Sequence, residues 1–185
     1  MKRLVAAIAN VLLGIVAIVG LWSCAATTPP TAREMQPVNY MEMSDRLVTS
    51  GQLTSAQIAA MNPFQYRIVI NLAPADDTAG VQDEARHLSS LGIAYAAIPV
   101  ELQKPEYRDF VLFSNILDAA ENGRVWVHCR INHRASVFAF LYRVIHEDAD
   151  PDIAYEKVTQ VWVPTAPWLE FARETLARYN IDYEL

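Results

Sequence analysis

Val125-Trp126-Val127-His128-Cys129-Arg130-Ile131-Asn132-His133-Arg134-Ala135-Ser136 is a short apolar run that carries a cysteine into a polar, arginine-rich turn. Val125-Trp126-Val127 suits a buried strand, and Ala135 to Ile145 suits a helix buried over much of its surface. A strand that turns and re-emerges as a helix leaves backbone N–H groups aimed at one spot, with the positive end of the helix dipole behind them. That spot favours an anion. A thiolate of Cys129 would be stabilised there by the N–H groups, the dipole and two guanidiniums. A phosphate could occupy the same cradle in a bidentate grip from Arg134. One loop could thus bind a group and attack it.

The bland alternative for Cys129 is a small core residue after a strand. His128, Arg130, His133 and Arg134 argue against it, because a core cysteine rarely sits among so many cationic or titratable neighbours. Only two cysteines are present, Cys24 and Cys129. If Cys24 is lipidated, Cys129 has no intramolecular partner and is either inert or kept for its reactivity.

Working outward, Arg46-Leu47-Val48-Thr49 reads as a first strand, with Gly51 as a turn. Thr54 reads as a helix N-cap with Gln57 at the capping-box position, opening a helix from Ser55 to Met61 that stops near Pro63. Tyr66 to Leu72 is an almost unbroken β-branched run that suits a sheet covered on both faces. Gly80 to Leu91 reads as an amphipathic helix closed by Gly92, with His87 exposed or half-buried on it. Ile93 to Val100 is the next strand, and Pro105 starts a helix to about Glu121, stopped by Asn122-Gly123. Pro151 opens a helix with Ile153, Ala154, Val158 and Val161 on one face, and Pro167 opens another to about Tyr179. Trp162, Trp168 and Phe171 read as core or rim aromatics. The expected fold is therefore α/β: a single domain with a central, mostly parallel sheet flanked by helices and the Cys129 loop between a strand and a helix. Ligands of such sheets bind beyond the carboxyl ends of the strands, where this loop lies.

At the other end, Lys2 and Arg3 precede an uncharged run from Leu4 to Ala26. Residues 1–26 read as a signal peptide or membrane anchor. Leu21-Trp22-Ser23-Cys24 resembles a bacterial lipoprotein cleavage site, while cleavage after Ala25 and retention as an anchor stay open. Each option puts residues 40–185 outside the cytoplasm, on the periplasmic side, attached to the membrane through the N-terminal segment unless that segment is cleaved without lipidation. Residues 27–39, Thr/Pro-rich, read as a tether. Loss of Lys2 and Arg3 takes the formal charge from −6 to −8, so a nucleic-acid partner is not expected. His128, His133 and His146 have no convincing metal-ligand spacing, so neither a metal nor a cofactor is expected, and the oligomeric state is left open.

His-Cys, a short loop and Arg opening a helix resembles the active loop of the cysteine-dependent protein tyrosine and dual-specificity phosphatases. Those enzymes place five residues between Cys and Arg; Cys129 and Arg134 are separated by four, and Asn132 stands where their loop glycine falls. Four is also the spacing of the rhodanese loop and of the bacterial phosphatase-like family found as the N-terminal domain of beta-lactamase hydrolase-like proteins. Ser50-Gly51-Gln52-Leu53-Thr54-Ser55-Ala56-Gln57 resembles the opening of that family, and Ile68-Val69-Ile70-Asn71-Leu72 its first core strand, so the likeness runs from roughly Met43 to Ile145.

The resemblance implies a phosphorylated substrate, a phosphomonoester such as phosphotyrosine or a small phosphorylated molecule. Cys129 would be the nucleophile that forms a phosphocysteine, and Arg134 would hold two phosphoryl oxygens. His128 would orient the loop, and Arg130, Ile131, Asn132, His133 and Ala135 would contribute cradle N–H groups. Ser136 is the first hydroxyl after the arginine, two places on. Glu101, the only carboxylate between the strand and Pro105, is the matching general acid, with Asp76 and Asp77 as fallback. Two alternatives stay open: a rhodanese-like sulfurtransferase in which Cys129 carries a persulfide, and an anion-binding module without turnover.

Overall fold

The computed structural model describes residues 36–61, 65–75, 82–120 and 123–185. The expected segment 1–26, most of the tether, and Asp76, Asp77, Gly80 and Asn122 lie outside them. Strands β1 (Met41–Glu42), β2 (Leu47–Ser50), β3 (Tyr66–Asn71), β4 (Ala94–Ala97) and β5 (Arg124–His128) form one sheet in the order β1-β2-β5-β3-β4. The pairs β2–β5, β5–β3 and β3–β4 are parallel; only the edge strand β1 is antiparallel. The sheet is thus mostly parallel, as the alternation of strand and helix requires. Strand β1 was not expected: two residues are too short to show any alternation.

The helices are α1 (Ser55–Ala59), α2 (Glu84–Ser90), α3 (Tyr107–Ala119), α4 (His133–His146), α5 (Pro151–Val161) and α6 (Ala166–Arg178). Thr54 caps α1 through the expected box: its Oγ1 accepts from Gln57 N, and the Gln57 side chain accepts from Thr54 N at 2.8 Å. Gly92, at φ 77°, provides the left-handed residue that ends α2. Helix α3 starts at Tyr107 rather than at Pro105, and Glu106 is its extended N-cap.

Side-chain alternation along the strands divides the core in two. Leu47, Ile70, Val125 and Val127 face a large cluster with Phe110, Phe113, Phe138 and Trp168 from α3, α4 and α6. Val48, Val69 and Trp126 face a smaller cluster with Ile58 and Leu88 from α1 and α2. Helices therefore cover both faces, which is why β3 and β5 read as continuous apolar runs. On α5, Ala154 and Val158 are buried, one turn apart, but Ile153 is 59% exposed and leaves the expected face. Trp168 and Phe171 are core residues and Trp162 is half-buried.

Phe138 has no exposed surface and its ring lies 5.5–6.2 Å, centroid to centroid, from those of Phe110, Phe113, Trp168 and Phe171. Phe138→Ala should cost about 3–5 kcal/mol in urea unfolding. A loss below about 1 kcal/mol would mean that this aromatic cluster does not hold α4 to the domain.

Candidate active site

Strand β5 lies between β2 and β3, and all three end on the same edge. The chain passes from His128 through Cys129 to Asn132 and enters α4 at His133. The backbone before the loop is tied to both neighbours: Leu72 N donates to His128 O at 2.8 Å, and Cys129 N donates to Ser50 O at 3.3 Å. Beyond it, Gln52 N donates to Arg130 O at 3.1 Å. Gly51 belongs to this contact rather than to a turn. A Cβ there would stand 3.0 Å from both Arg130 O and Val38 O, a close approach of three backbones that glycine alone leaves room for.

Asn132 occupies the left-handed region at φ 72° and ψ 5°, at the N-cap of α4. The position that departs from the glycine pattern therefore keeps the glycine's backbone geometry, in one of the residue types that tolerate it. Its buried side chain fastens the loop: Nδ2 donates to Asn39 O at 2.5 Å and to Thr49 Oγ1 at 3.0 Å. Asn39, itself at φ 52°, returns a bond from its own Nδ2 to Ile131 O at 2.9 Å.

Cys129, Arg130, Ile131, His133 and Arg134 line one cavity of about 490 Å³ together with Pro74, Glu101, Leu102 and Gln103. The loop from β4 to α3 thus supplies the opposite wall, and with it the exposed carboxylate Glu101. Cys129 and Arg134 are nearly buried, whereas Ile131 is 41% exposed at the mouth. Arg134 stands in the first turn of α4, so its guanidinium and the positive helix N-terminus lie at the same end of the helix.

The remaining sequence candidates take other places. His128 is fully buried behind Cys129, and Ala135 packs in the core. Ser136 is buried, its Oγ donating to His133 O at 3.1 Å and accepting from Trp162 Nε1 at 3.2 Å. The same indole stacks on His133, with ring centroids 4.0 Å apart and planes 3° from parallel. Burial, and after it the charge of Arg134, pull the His133 pKa below its ordinary 6.5, so this wall of the cavity is neutral at pH 7. His87 is exposed on α2.

Sequence reasoning missed Asn39, Thr49, Asn71, Glu84 and Tyr95. Asn71 was a visible signal, a polar residue closing an apolar strand. Glu84 shares a buried helix face with Leu88, and a carboxylate there was the other signal.

The comparisons bear on the fold and the class of protein. No family model matches the chain. The dual specificity protein phosphatase TpbA of Pseudomonas aeruginosa is 24% identical over 139 residues, 74% of this chain and 61% of that protein. A solved structure from Shewanella putrefaciens, described as a candidate phosphatase of DUF442, is 27% identical with a TM-score of 0.71, covering 82% of this chain and 98% of that one. This chain has the fold of the cysteine-dependent tyrosine phosphatases. The catalytic domain of the Saccharomyces cerevisiae PP-IP phosphatase SIW14, 13% identical, shares that fold with a TM-score of 0.61, over 78% of this chain and 94% of its own. The chain spans 61% of the length of the curated relatives it matches.

The Asn132 clamp can be tested by unfolding. Asn132→Gly keeps the backbone geometry but loses the side-chain bonds, and should cost about 1 kcal/mol. Asn132→Ala loses the same bonds and also meets the left-handed penalty, so it should cost about 1 kcal/mol more. Urea unfolding that ranks alanine above glycine would remove the backbone requirement.

Proposed function

We propose that the chain is a cysteine-dependent phosphatase of the dual-specificity, tyrosine-phosphatase-like kind, acting on a phosphomonoester. One observation carries this reading: Cys129, Arg134 and Glu101, from two separate loops, line the same cavity at the carboxyl ends of the parallel strands. A phosphoryl group in the cradle would meet the Arg134 guanidinium and the N-terminus of α4. The Cys129 thiolate attacks phosphorus, a P–S bond forms, and the P–O bond to the leaving group breaks. Glu101 gives its proton to the departing oxygen. Water then attacks the phosphocysteine and gives a proton back to the Glu101 carboxylate, the P–S bond breaks, and inorganic phosphate leaves with the thiolate restored. His128 orients the loop, and the backbone of Arg130 to His133 forms the cradle. The names of the relatives support the phosphatase class. The uncharged run Leu4 to Ala26 supports a membrane-attached or exported location, on the periplasmic side, for the domain.

Pro74, Leu102, Ile131 and His133 line the same cavity, where the substrate's leaving group would lie. These walls accept an apolar or flat group such as an aryl ring.

Phosphate release from an aryl phosphate by the reduced chain should disappear in Cys129→Ser, while vanadate inhibits the parent. Undiminished release in that variant would sink the nucleophile assignment, and thiocyanate formation from thiosulfate and cyanide without phosphate release would establish the sulfurtransferase. Oxyanion binding with no release of either kind would leave the binding module.

Glu101→Gln should slow aryl phosphates with poor leaving groups at least tenfold more than those with good ones, as loss of a general acid requires (about 10²–10⁴ in full). Equal slowing across the series would clear Glu101 of the role.

A further inference from the structure

A second polar cluster lies behind the cradle, and of its members only His128 has a place in the steps above. Glu84, on α2, is 5% exposed, and its Oε1 stands 2.9 Å from Nε2 of the fully buried His128. Its Oε2 faces Asn71 Nδ2 and the Tyr95 hydroxyl, each at 3.4 Å. Asn71 Nδ2 also donates to the Tyr95 oxygen at 3.2 Å. One carboxylate thus meets polar groups from three parallel strands, β5, β3 and β4. Burying a carboxylate is costly, and a leucine or methionine at this position would pack beside Leu88 without that cost. Burial, above all, pushes the Tyr95 pKa up, which keeps its hydroxyl a donor to Glu84.

We infer that Glu84 is a positioning residue for the nucleophile: its carboxylate fixes the imidazole of His128, and through the His128–Cys129 peptide the line on which the Cys129 sulfur enters the cavity. The inference rests on the phosphatase reading. The backbone on either side of His128 is already tied to β2 and β3, so the ring is the part of this residue still able to turn. The same carboxylate reaches a second wall of the cavity. Asn71, held at Nδ2, accepts from Ala73 N at 2.8 Å with its Oδ1, next to Pro74.

Glu84→Gln keeps the shape and an acceptor oxygen for Asn71 and Tyr95 but loses the charge. The readouts are alkylation of Cys129 by iodoacetate, followed on its own peptide by mass spectrometry, and aryl phosphate turnover, with thermal melts alongside. A variant that melts near the parent should lose about tenfold in both alkylation rate and kcat, the scale on which partners that orient a working histidine act, with KM little changed. In a His128→Asn background, Glu84→Gln should add no further loss. Parental alkylation in Glu84→Gln, or independent losses that multiply in the double variant, would overturn the inference. Should the glutamine variant not fold, Glu84→Asp withdraws the carboxylate by one methylene; the same loss is expected, and a parental rate overturns it. If the parent releases no phosphate while Glu84→Gln still slows alkylation, the phosphatase reading fails and the placement of Glu84 stands.

Discussion

A loop that turns its amides toward one anion must turn carbonyls the other way, and each buried carbonyl needs a donor. In this protein the loop's carbonyls find donors from four directions. The His128 carbonyl accepts from Leu72 after β3, the Arg130 carbonyl from Gln52 after β2, the Ile131 carbonyl from Asn39, and the Asn132 carbonyl from Ser136 within α4. The loop is thus held from behind by bonds within the chain. A site whose charges are fixed before the substrate arrives stabilises a developing charge without first reorganising.

The parts of the fold that were legible in sequence are those set by local chemistry. The capping box at Thr54 and Gln57, the β-branched run of β3, Gly92 after α2 and the strand-to-helix passage at Cys129 each depend on neighbours a few residues away. Strand β1 was illegible because it owes its existence to pairing with β2 across a turn. The Asn39–Asn132 clamp was illegible for a stronger reason: its partners are 93 residues apart, and nothing in either short segment names the other.

Within the site, the residues that line the cavity were largely readable from Cys129, Arg134 and their neighbours, and Glu101 from its place between β4 and α3. The residues behind them were not. Glu84 sits four residues before Leu88 on the inner face of its helix, which marks it as unusual, but nothing in the sequence names His128 as what it meets. Asn132 looked like a departure from a glycine pattern, yet its φ of 72° is what that glycine would supply, with side-chain bonds added. Residue identity and backbone state are different quantities, and both bear on the loop: the φ shapes it and the side chain fastens it.

The bonds from Asn39 to Ile131 and from Asn132 back to Asn39 span 92 and 93 residues of chain. Contacts of such range form only after the intervening segments have collapsed, because closing the loop costs entropy that nothing local repays. The anion cradle around Cys129 is therefore a late product of folding. A nascent or partly unfolded chain carries the cysteine without the cavity walls around it, so the chemistry proposed for the thiol belongs to the finished domain.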